Sequence, residues 1–281
     1  MIDLKNISFA YRKGKPVFED LSVHLEKGHI YGLLGKNGAG KTTLLRLICG
    51  LNFIQGGTAE VSGFNPAMRH PDLLKQIYLL QEDPFVPRLT IKKYVRSYAP
   101  YYENFNFEQF DEYMHLFEIE SKDAFLNQLS LGQKKKVMIC FALAANTDML
   151  FMDEPTNGLD IPSKTIFRKL LAMAANDDRL IIVSTHQVRD LHSLIDALVI
   201  VNEGKMLLNA TIQDIGDKLC FLAPGDTVTD EPVLYCEENI RGNIIVAENI
   251  YHRESKVDIE LLFNTVMMNK KRTRELFNSN C

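Results

Sequence analysis

The sequence contains no apolar run of the roughly 18 to 20 residues needed to cross a bilayer. The richest apolar run, Leu194 to Val201, is short and includes Asp196. The first residues do not combine a basic start with an apolar segment, so we expect no signal peptide. These features predict a cytosolic protein, in which a partner supplies any membrane-spanning part.

The sequence is also poor in cysteine, and it has fewer basic than acidic residues. The five cysteines fit neither the spacing of a metal site nor a CxxC motif, and we predict reduced core thiols at Cys49, Cys140, Cys220, Cys236 and Cys281. Lys and Arg number 32 against 36 Asp and Glu, and this net charge of -4 disfavours a nucleic-acid partner. With 46% hydrophobic residues, the 281-residue chain is long enough for one large or two modest folded domains.

Strand and helix patterns alternate along the first 215 residues. Met149 to Met152 and Leu180 to Ser184 are short apolar runs typical of buried parallel strands, and the pattern between them predicts a helix over 164–175. The first 35 residues indicate strands. Such alternation predicts an α/β fold with crossover helices.

Two segments depart from this alternation. Residues 83–128 are interrupted by prolines and rich in aromatics, and with a further helix predicted over 134–145 they indicate a helical subdomain at about 83–145. Most of these aromatics are expected to form the core of that subdomain, although some could line a docking groove. Beyond about residue 210 we predict strands at 233–236 and 243–246, a helix at 258–268 and a loose polar tail from 269.

A glycine-rich segment follows the strand at 29–34 and opens a helix. Residues 35–42 fit GxxxxGK[ST], a pattern whose backbone N–H groups surround phosphate oxygens at a helix N-terminus. Lys41 adds a charge for the β- and γ-phosphates, and Thr42 offers a hydroxyl to Mg²⁺. We therefore predict nucleotide contacts from Gly35, Lys36, Asn37, Gly38, Ala39, Gly40, Lys41, Thr42 and Thr43.

The predicted strand at 149–152 ends in two carboxylates. Asp153 is placed to reach Mg²⁺ and Glu154 to polarise a water for attack on the γ-phosphate. Alone, the pair could equally be a surface acidic turn before Pro155. The phosphate loop upstream favours the catalytic interpretation.

Further motifs in the same order resemble those of ATP-binding cassette (ABC) ATPases. The segment LSLGQ at 129–133 resembles the ABC signature, and NGLD at 157–160 resembles the D-loop. Gln81 resembles the Q-loop glutamine, His186 the switch histidine, and Tyr11 the aromatic that stacks on adenine. The resemblance covers residues 2–215 and is closest to single-cassette subunits of exporter type. Individually, Tyr11 and His186 would be taken as structural residues.

The resemblance implies ATP and Mg²⁺ as cofactors and two cassettes arranged head to tail. It further implies that Lys41, Glu154 and His186 are catalytic, and that Thr42, Gln81 and Asp153 surround the metal. Ser130, Gly132 and Gln133 would contact ATP held by the other cassette, and Asp160 would link the two sites. Leu131 stands where the family usually has Gly, which restricts the backbone and adds bulk. We therefore expect a working site of weaker activity, and the alternative is a degenerate site that needs an active partner subunit.

The full expectation is a P-loop NTPase core with an N-terminal antiparallel β subdomain and an inserted helical subdomain. This ATPase domain would span 1–215, followed by a small α+β extension at 216–281. The chain would be peripheral on the inner face of the cell membrane. Its partners would be a permease and a second cassette, identical or different, and a short resemblance at 258–263 favours export over import.

Two other functions remain open at this stage. One is a soluble ABC ATPase acting on ribosomes or DNA, although the chain has one cassette and no sustained heptad repeat. The other is a non-hydrolysing ATP binder, which the presence of Glu154 and His186 disfavours. The basic run Lys134 to Lys136 is interpreted equally as a family feature and as a solvated helix face.

Overall fold

The computed structural model describes residues 1–12, 14–187, 192–226, 230–240 and 242–277. In chain order its strands are β1 (Ile2–Phe9), β2 (Phe18–Leu25), β3 (Ile30–Leu34), β4 (Gly56–Val61), β5 (Ile77–Leu80), β6 (Met149–Asp153), β7 (Leu180–Thr185), β8 (Ala197–Asn202), β9 (Lys205–Thr211), β10 (Leu219–Leu222), β11 (Val233–Asn239) and β12 (Gly242–Glu248). Its α-helices are α1 (Lys41–Ile48), α2 (Pro71–Leu74), α3 (Ile91–Tyr98), α4 (Phe107–Leu116), α5 (Leu131–Ala144), α6 (Ile161–Ala174), α7 (Ile212–Lys218), α8 (Ile259–Met268) and α9 (Lys270–Phe277).

A six-stranded sheet forms the centre of the molecule, in the order β5-β6-β7-β3-β8-β9. The first five strands are parallel, and β9 pairs antiparallel with β8. Every residue of β3, β6, β7 and β8 is buried, as the short apolar runs predicted. The α/β fold class is confirmed.

The N-terminal strands form a separate antiparallel sheet in the order β2-β1-β4. Its inner face is lined by alternate residues of β1 and β2, which include Ile2, Leu4, Phe18 and Val23. These residues pack in one cluster with helix α1 and residues of β3, β6 and β7. The antiparallel sheet therefore covers the face of the central sheet that carries α1.

Helices α3, α4 and α5 lie between β5 and β6, where the sequence predicted a helical insertion. Phe110, Phe117 and Phe141 are fully buried and belong to a cluster that also contains residues of the central sheet. Tyr101 and Phe107 are exposed. The prediction that the aromatics form the core therefore holds for the three buried phenylalanines, and it is wrong for Tyr101 and Phe107.

Two helices begin earlier than their apolar patterns indicated. Helix α5 starts at 131 rather than 134 because the Ser130 hydroxyl accepts a hydrogen bond from Gln133 N. Helix α6 starts at 161 rather than 164 because Asp160 accepts one from Ser163 N. Both first turns are held by capping side chains, which an apolar periodicity does not register.

The C-terminal residues form a three-stranded antiparallel sheet, β10-β12-β11, with α8 and α9. The prediction of a loose tail is wrong for 270–277, which are helical, while 278–281 lie outside the described residues. Arg272 of α9 forms two hydrogen bonds with Glu248, and Lys218 donates to Leu276 O. The predicted division at 215/216 falls inside α7, and that division stays a prediction.

The cysteine prediction holds in part. Cys49, Cys140 and Cys220 are free and buried, whereas Cys236 is free and exposed, so it is not a core residue. Cys281 lies outside the described residues. Burial raises the pKa of the Cys49 and Cys140 thiols, which disfavours the reactive thiolate. Among the residues described, no helix is long and apolar enough to span a membrane.

Candidate active site

The phosphate loop connects β3 to α1 and depends on its glycines. Gly38 and Gly40 have φ values of 79° and 107°, which side-chain-bearing residues rarely adopt. A Cβ at Gly40 would also lie 2.7 Å from the Phe18 ring. No side chain caps the N-terminus of α1, so its first backbone N–H groups can bind an anion.

A cavity of about 390 Å³ opens over this loop. It brings together most of the predicted ATP contacts, since its lining includes Tyr11, Asn37, Gly38, Ala39, Gly40, Lys41, Thr42, Thr43, Asp153 and Glu154. Val17 and Glu82 also line it, and no motif in the sequence had identified them. Gly35, Lys36 and Gln81 lie outside this lining, although the first two belong to the same loop. The role of Gln81 stays a prediction.

Asp153 is held at the adjacent ends of β6 and β7. Thr42 Oγ1 donates to Asp153 Oδ2 at 2.6 Å, and Ser184 Oγ donates to Asp153 Oδ1 at 2.5 Å. Ser184 is paired with Asp153 in the parallel register of β6 and β7. The structure therefore places Thr42 and Asp153 in direct contact, while their role at a metal site stays a prediction. It adds Ser184 as an orienting residue that the sequence analysis missed.

Glu154 is almost fully buried at the rim of the loop, with 5% of its surface exposed. Its Oε1 lies 2.9 Å from His186 Nδ1 and 3.6 Å from Lys41 Nζ. Lys41 Nζ also donates to Gly35 O at 2.9 Å. Two of the residues predicted to be catalytic, Lys41 and His186, thus each contact the third, Glu154.

The backbone of Glu154 is in the left-handed region, with φ of 47°. For a residue with a side chain this conformation costs roughly 1 to 3 kcal/mol, and such strain is common at functional sites. Glu154 N donates to Ser184 O at 3.0 Å, which ties the residue to the end of β7. The neighbouring strands therefore hold the carboxylate in an orientation that the isolated chain would disfavour.

Tyr11 lies at the edge of the cavity with 57% of its surface exposed. Its hydroxyl is 3.1 Å from Thr43 Oγ1, and its ring packs edge-on against Phe9. The remaining ring surface is accessible, which is compatible with the predicted stacking on a base.

The signature and D-loop residues meet beside the cavity without lining it. Ser130 and Gln133 form a reciprocal capping box at the start of α5, and Asp160 caps α6. The hydrogen bond from Ser163 lowers the pKa of Asp160. A Cβ at Gly132 would lie 3.1 Å from Gly158 O, so the two motifs are in close contact.

Leu131 occupies the first position of α5 and is 58% exposed. Its φ is not positive, so this position does not require the freedom of glycine. The Leu131 side chain lies close to Gly158, with Cδ2 3.8 Å from where a Cβ on that glycine would stand. The departure from the usual signature therefore places an apolar side chain beside the D-loop and causes no backbone strain.

Lys135 is a further residue of the site, whose position the sequence analysis had left open. It lies within the basic run at 134–136, yet only 2% of its surface is exposed. Its Nζ donates to Glu154 O at 3.0 Å. Burial lowers the pKa of Lys135, an effect opposed by Glu82, Glu154, Asp153 and Asp83. A solvated face does not describe this position.

The fold and this site together define a P-loop ATPase with a β-sheet subdomain and an inserted helical segment. Residues 18–157 match the family model described as ABC transporter. The chain is 31% identical over 208 residues to the ABC transporter ATP-binding protein YtrB of Bacillus subtilis (strain 168), an alignment covering 73% of this chain and 70% of that one.

Two further proteins are similar. The SkfA peptide export ATP-binding protein SkfE of the same organism is 30% identical over 212 residues, covering 74% of this chain and 87% of its own. A solved structure described as the ATP binding subunit of an ABC transporter has a TM-score of 0.69 and 25% identity, covering 76% and 91% of the two chains. This chain belongs to the ABC transporter family as an ATP-binding subunit, and its activity is that of an ATPase.

Proposed function

We propose that this chain hydrolyses ATP to drive export of a substrate through a separate membrane permease. The observation that carries the proposal is the buried Glu154 carboxylate, in contact with both Lys41 and His186 at the rim of the phosphate loop. The short resemblance of residues 258–263 to exporter cassettes supports the outward direction. So does similarity to a relative whose name describes peptide export.

In this proposal Glu154 orients or deprotonates the attacking water. His186 holds that water and senses the γ-phosphate, while Lys41 and the N–H groups of the loop stabilise charge on the transferred phosphoryl group. Tyr11 stacks on the adenine. Because these contacts are strongest when charge develops on the phosphoryl oxygens, they accelerate hydrolysis more than they tighten ATP binding.

The hydroxyl of Thr42 and the carboxylate of Asp153 are oxygen donors that suit Mg²⁺, which usually takes few protein ligands beside phosphates and waters. The hydrogen bond between them keeps both oxygens together at the loop. Thr42, Asp153 and Gln81 would hold Mg²⁺, which when bound neutralises charge on the β- and γ-phosphates.

Two cassettes assemble head to tail, and each site is completed by Ser130, Gly132 and Gln133 of the other cassette, with Asp160 linking the sites. Residues 1–215 form the ATPase domain and 216–281 an extension. The helical segment at 83–145 docks the permease. The chain accordingly works in the cytoplasm, on the inner face of the cell membrane. Exposed aromatics such as Phe85 and Tyr101 support a contact surface on that segment.

The variant Glu154→Gln tests the proposal. It keeps the shape of the side chain and removes its ability to accept a proton, so we expect ATP turnover to fall by about a thousandfold or more while ATP still binds. Trapped with ATP in its source cells and extracted in detergent, it should co-purify with a polytopic membrane protein in near-equal amount.

Two results would contradict the proposal separately. If Glu154→Gln hydrolysed ATP at the wild-type rate, Glu154 would not be a catalytic residue. Recovery of ribosomal or DNA-bound proteins from the soluble fraction, with no membrane protein, would favour the soluble ABC ATPase instead. The Lys75→Ala variant, which breaks only an exposed pair with Glu103, is the matched control and should behave as wild type.

A further inference from the structure

Lys135 is a buried cation whose hydrogen bond goes to the backbone of the residue proposed to activate water. It lies one turn into α5, the helix that opens with the signature segment. Its side chain crosses to the end of β6, where Nζ is 3.0 Å from Glu154 O. It does not line the cavity over the phosphate loop, so it reaches the predicted nucleotide site only through Glu154.

A buried ammonium group is unfavourable unless its surroundings compensate it. Among the described residues, no carboxylate lies within ion-pair distance of Lys135, and its compensation comes from the Glu154 carbonyl and the more distant acidic groups. An apolar side chain of the same length would fill this position without that desolvation. The charge therefore has a use at this position beyond filling space.

That use is visible in the contacts of the Glu154 backbone. Glu154 O accepts from Lys135 Nζ and, at 3.3 Å, from Asn157 N, while Glu154 N donates to Ser184 O. The peptide groups on both sides of the left-handed Glu154 are thus fixed. Because these peptide groups set the direction of the Glu154 side chain, they also set its approach to His186.

The first turn of α5 contacts the same loop at a second place. Gly132 lies against Gly158 O, and the Leu131 side chain packs near Gly158. Helix α5 therefore contacts the segment 154–160 at two places. Lys135 contacts it at Glu154, and the signature residues contact it at Gly158. A shift of α5 would displace the Glu154 carbonyl and the D-loop together.

We propose that Lys135 is a positioning residue that holds the strained backbone of Glu154 and thereby orients the Glu154 carboxylate for hydrolysis. Through this contact the signature helix α5 is coupled to Glu154 of the same subunit. This inference rests on the proposed role of Glu154. It places Lys135 in catalysis without contact to ATP.

The test compares Lys135→Met with the wild-type protein. Methionine keeps the length of the stem and removes the donor, so kcat should fall by about ten- to a hundredfold, as for a small misplacement of a reacting group. The dissociation constant for a fluorescent ATP analogue should stay within about twofold, because Lys135 lies outside the cavity. The Lys135→Gln variant restores a neutral donor and should recover part of the lost kcat.

The matched control is Lys134→Met, which removes the same charge from the neighbouring position. Lys134 is half-buried, and among the described residues its side chain forms no hydrogen bond or ion pair, so the kcat of this variant should be unchanged. Thermal unfolding of each variant without nucleotide shows whether it is folded. Wild-type kcat in Lys135→Met, equal losses in the Met and Gln variants, or a parallel loss of nucleotide affinity would each overturn the inference.

The Glu154→Gln variant separates this inference from the proposal beneath it. If Glu154→Gln loses turnover and Lys135→Met does not, the positioning role fails and the function stands. If Glu154→Gln retains turnover, the role of Glu154 fails, and the positioning role assigned to Lys135 fails with it.

Discussion

Lys41 is a buried cation with two contacts in the candidate active site, Gly35 O and the Glu154 carboxylate. Replacing it with alanine removes a charged donor to the phosphates. Such a contact contributes about 1.5 to 3 kcal/mol, so ATP affinity measured by calorimetry should fall roughly ten- to a hundredfold. The exposed Lys27 pairs with Asp148 outside the cavity, and Lys27→Ala should bind ATP normally. Unchanged affinity in Lys41→Ala would contradict its placement on the phosphates.

Single residues of the candidate site differ in how far the sequence predicts them. The phosphate loop and the Asp153–Glu154 pair were predictable, because each motif needs particular residue types at fixed spacing. Lys135 was not, since a run of three lysines has no internal sign of which member points inward. The orientation of Lys135 depends on α5 beginning at 131 and being buried from 137 onward, which turns this lysine inward.

A reciprocal capping box stabilises the start of α5. Ser130 Oγ accepts from Gln133 N at 3.2 Å, and Gln133 Oε1 accepts from Ser130 N at 3.1 Å. We expect Ser130→Ala to lower the free energy of unfolding by about 1 kcal/mol in urea titrations without nucleotide. This loss is separate from any contact of the Ser130 hydroxyl with ATP.

A second capping box supplies the control for that prediction. Thr211 caps α7 in the same way through Asp214 and lies outside the cavity. Thr211→Ala should lose similar stability and keep full ATPase turnover, whereas Ser130→Ala should lose both. Equal turnover in the two variants would mean that Ser130 serves the helix alone.

Elements of the extension were predicted less completely than those of the ATPase core. Helix α8 has a strong apolar pattern and was predicted. Helix α9 is a charged segment without such a pattern, and the sequence analysis predicted a loose polar tail there. Its helix is held by tertiary contacts, among them the two hydrogen bonds from Arg272 to Glu248 and the packing of α9 on β9. Local sequence does not encode such partners, so periodicity alone missed it.

At the scale of the whole molecule, the central sheet was predictable because its buried parallel strands leave continuous apolar runs. The closeness of the signature and D-loop motifs was not, since Gly132 and Gly158 are 26 residues apart in sequence and meet only where α5 packs against α6. Their meeting point lies outside the cavity of the same chain. In the proposed head-to-tail pair, a nucleotide in the cavity of one cassette would meet Ser130 and Gln133 of the other.

This arrangement leads to a prediction about assembly. ATP that contacts the phosphate loop of one cassette and Ser130 of another gains extra favourable contacts only in the paired state. Its binding therefore stabilises that state and shifts the population towards dimers. Sedimentation velocity should show Glu154→Gln as a monomer without nucleotide and as a dimer with ATP, because ATP hydrolysis no longer dissociates the dimer. The variant that also carries Lys41→Ala should stay monomeric at the same ATP concentration, since it lacks the contact that retains the nucleotide. If Glu154→Gln binds ATP and still sediments as a monomer, two copies of this chain do not form the closed pair, and the second cassette must be a different protein.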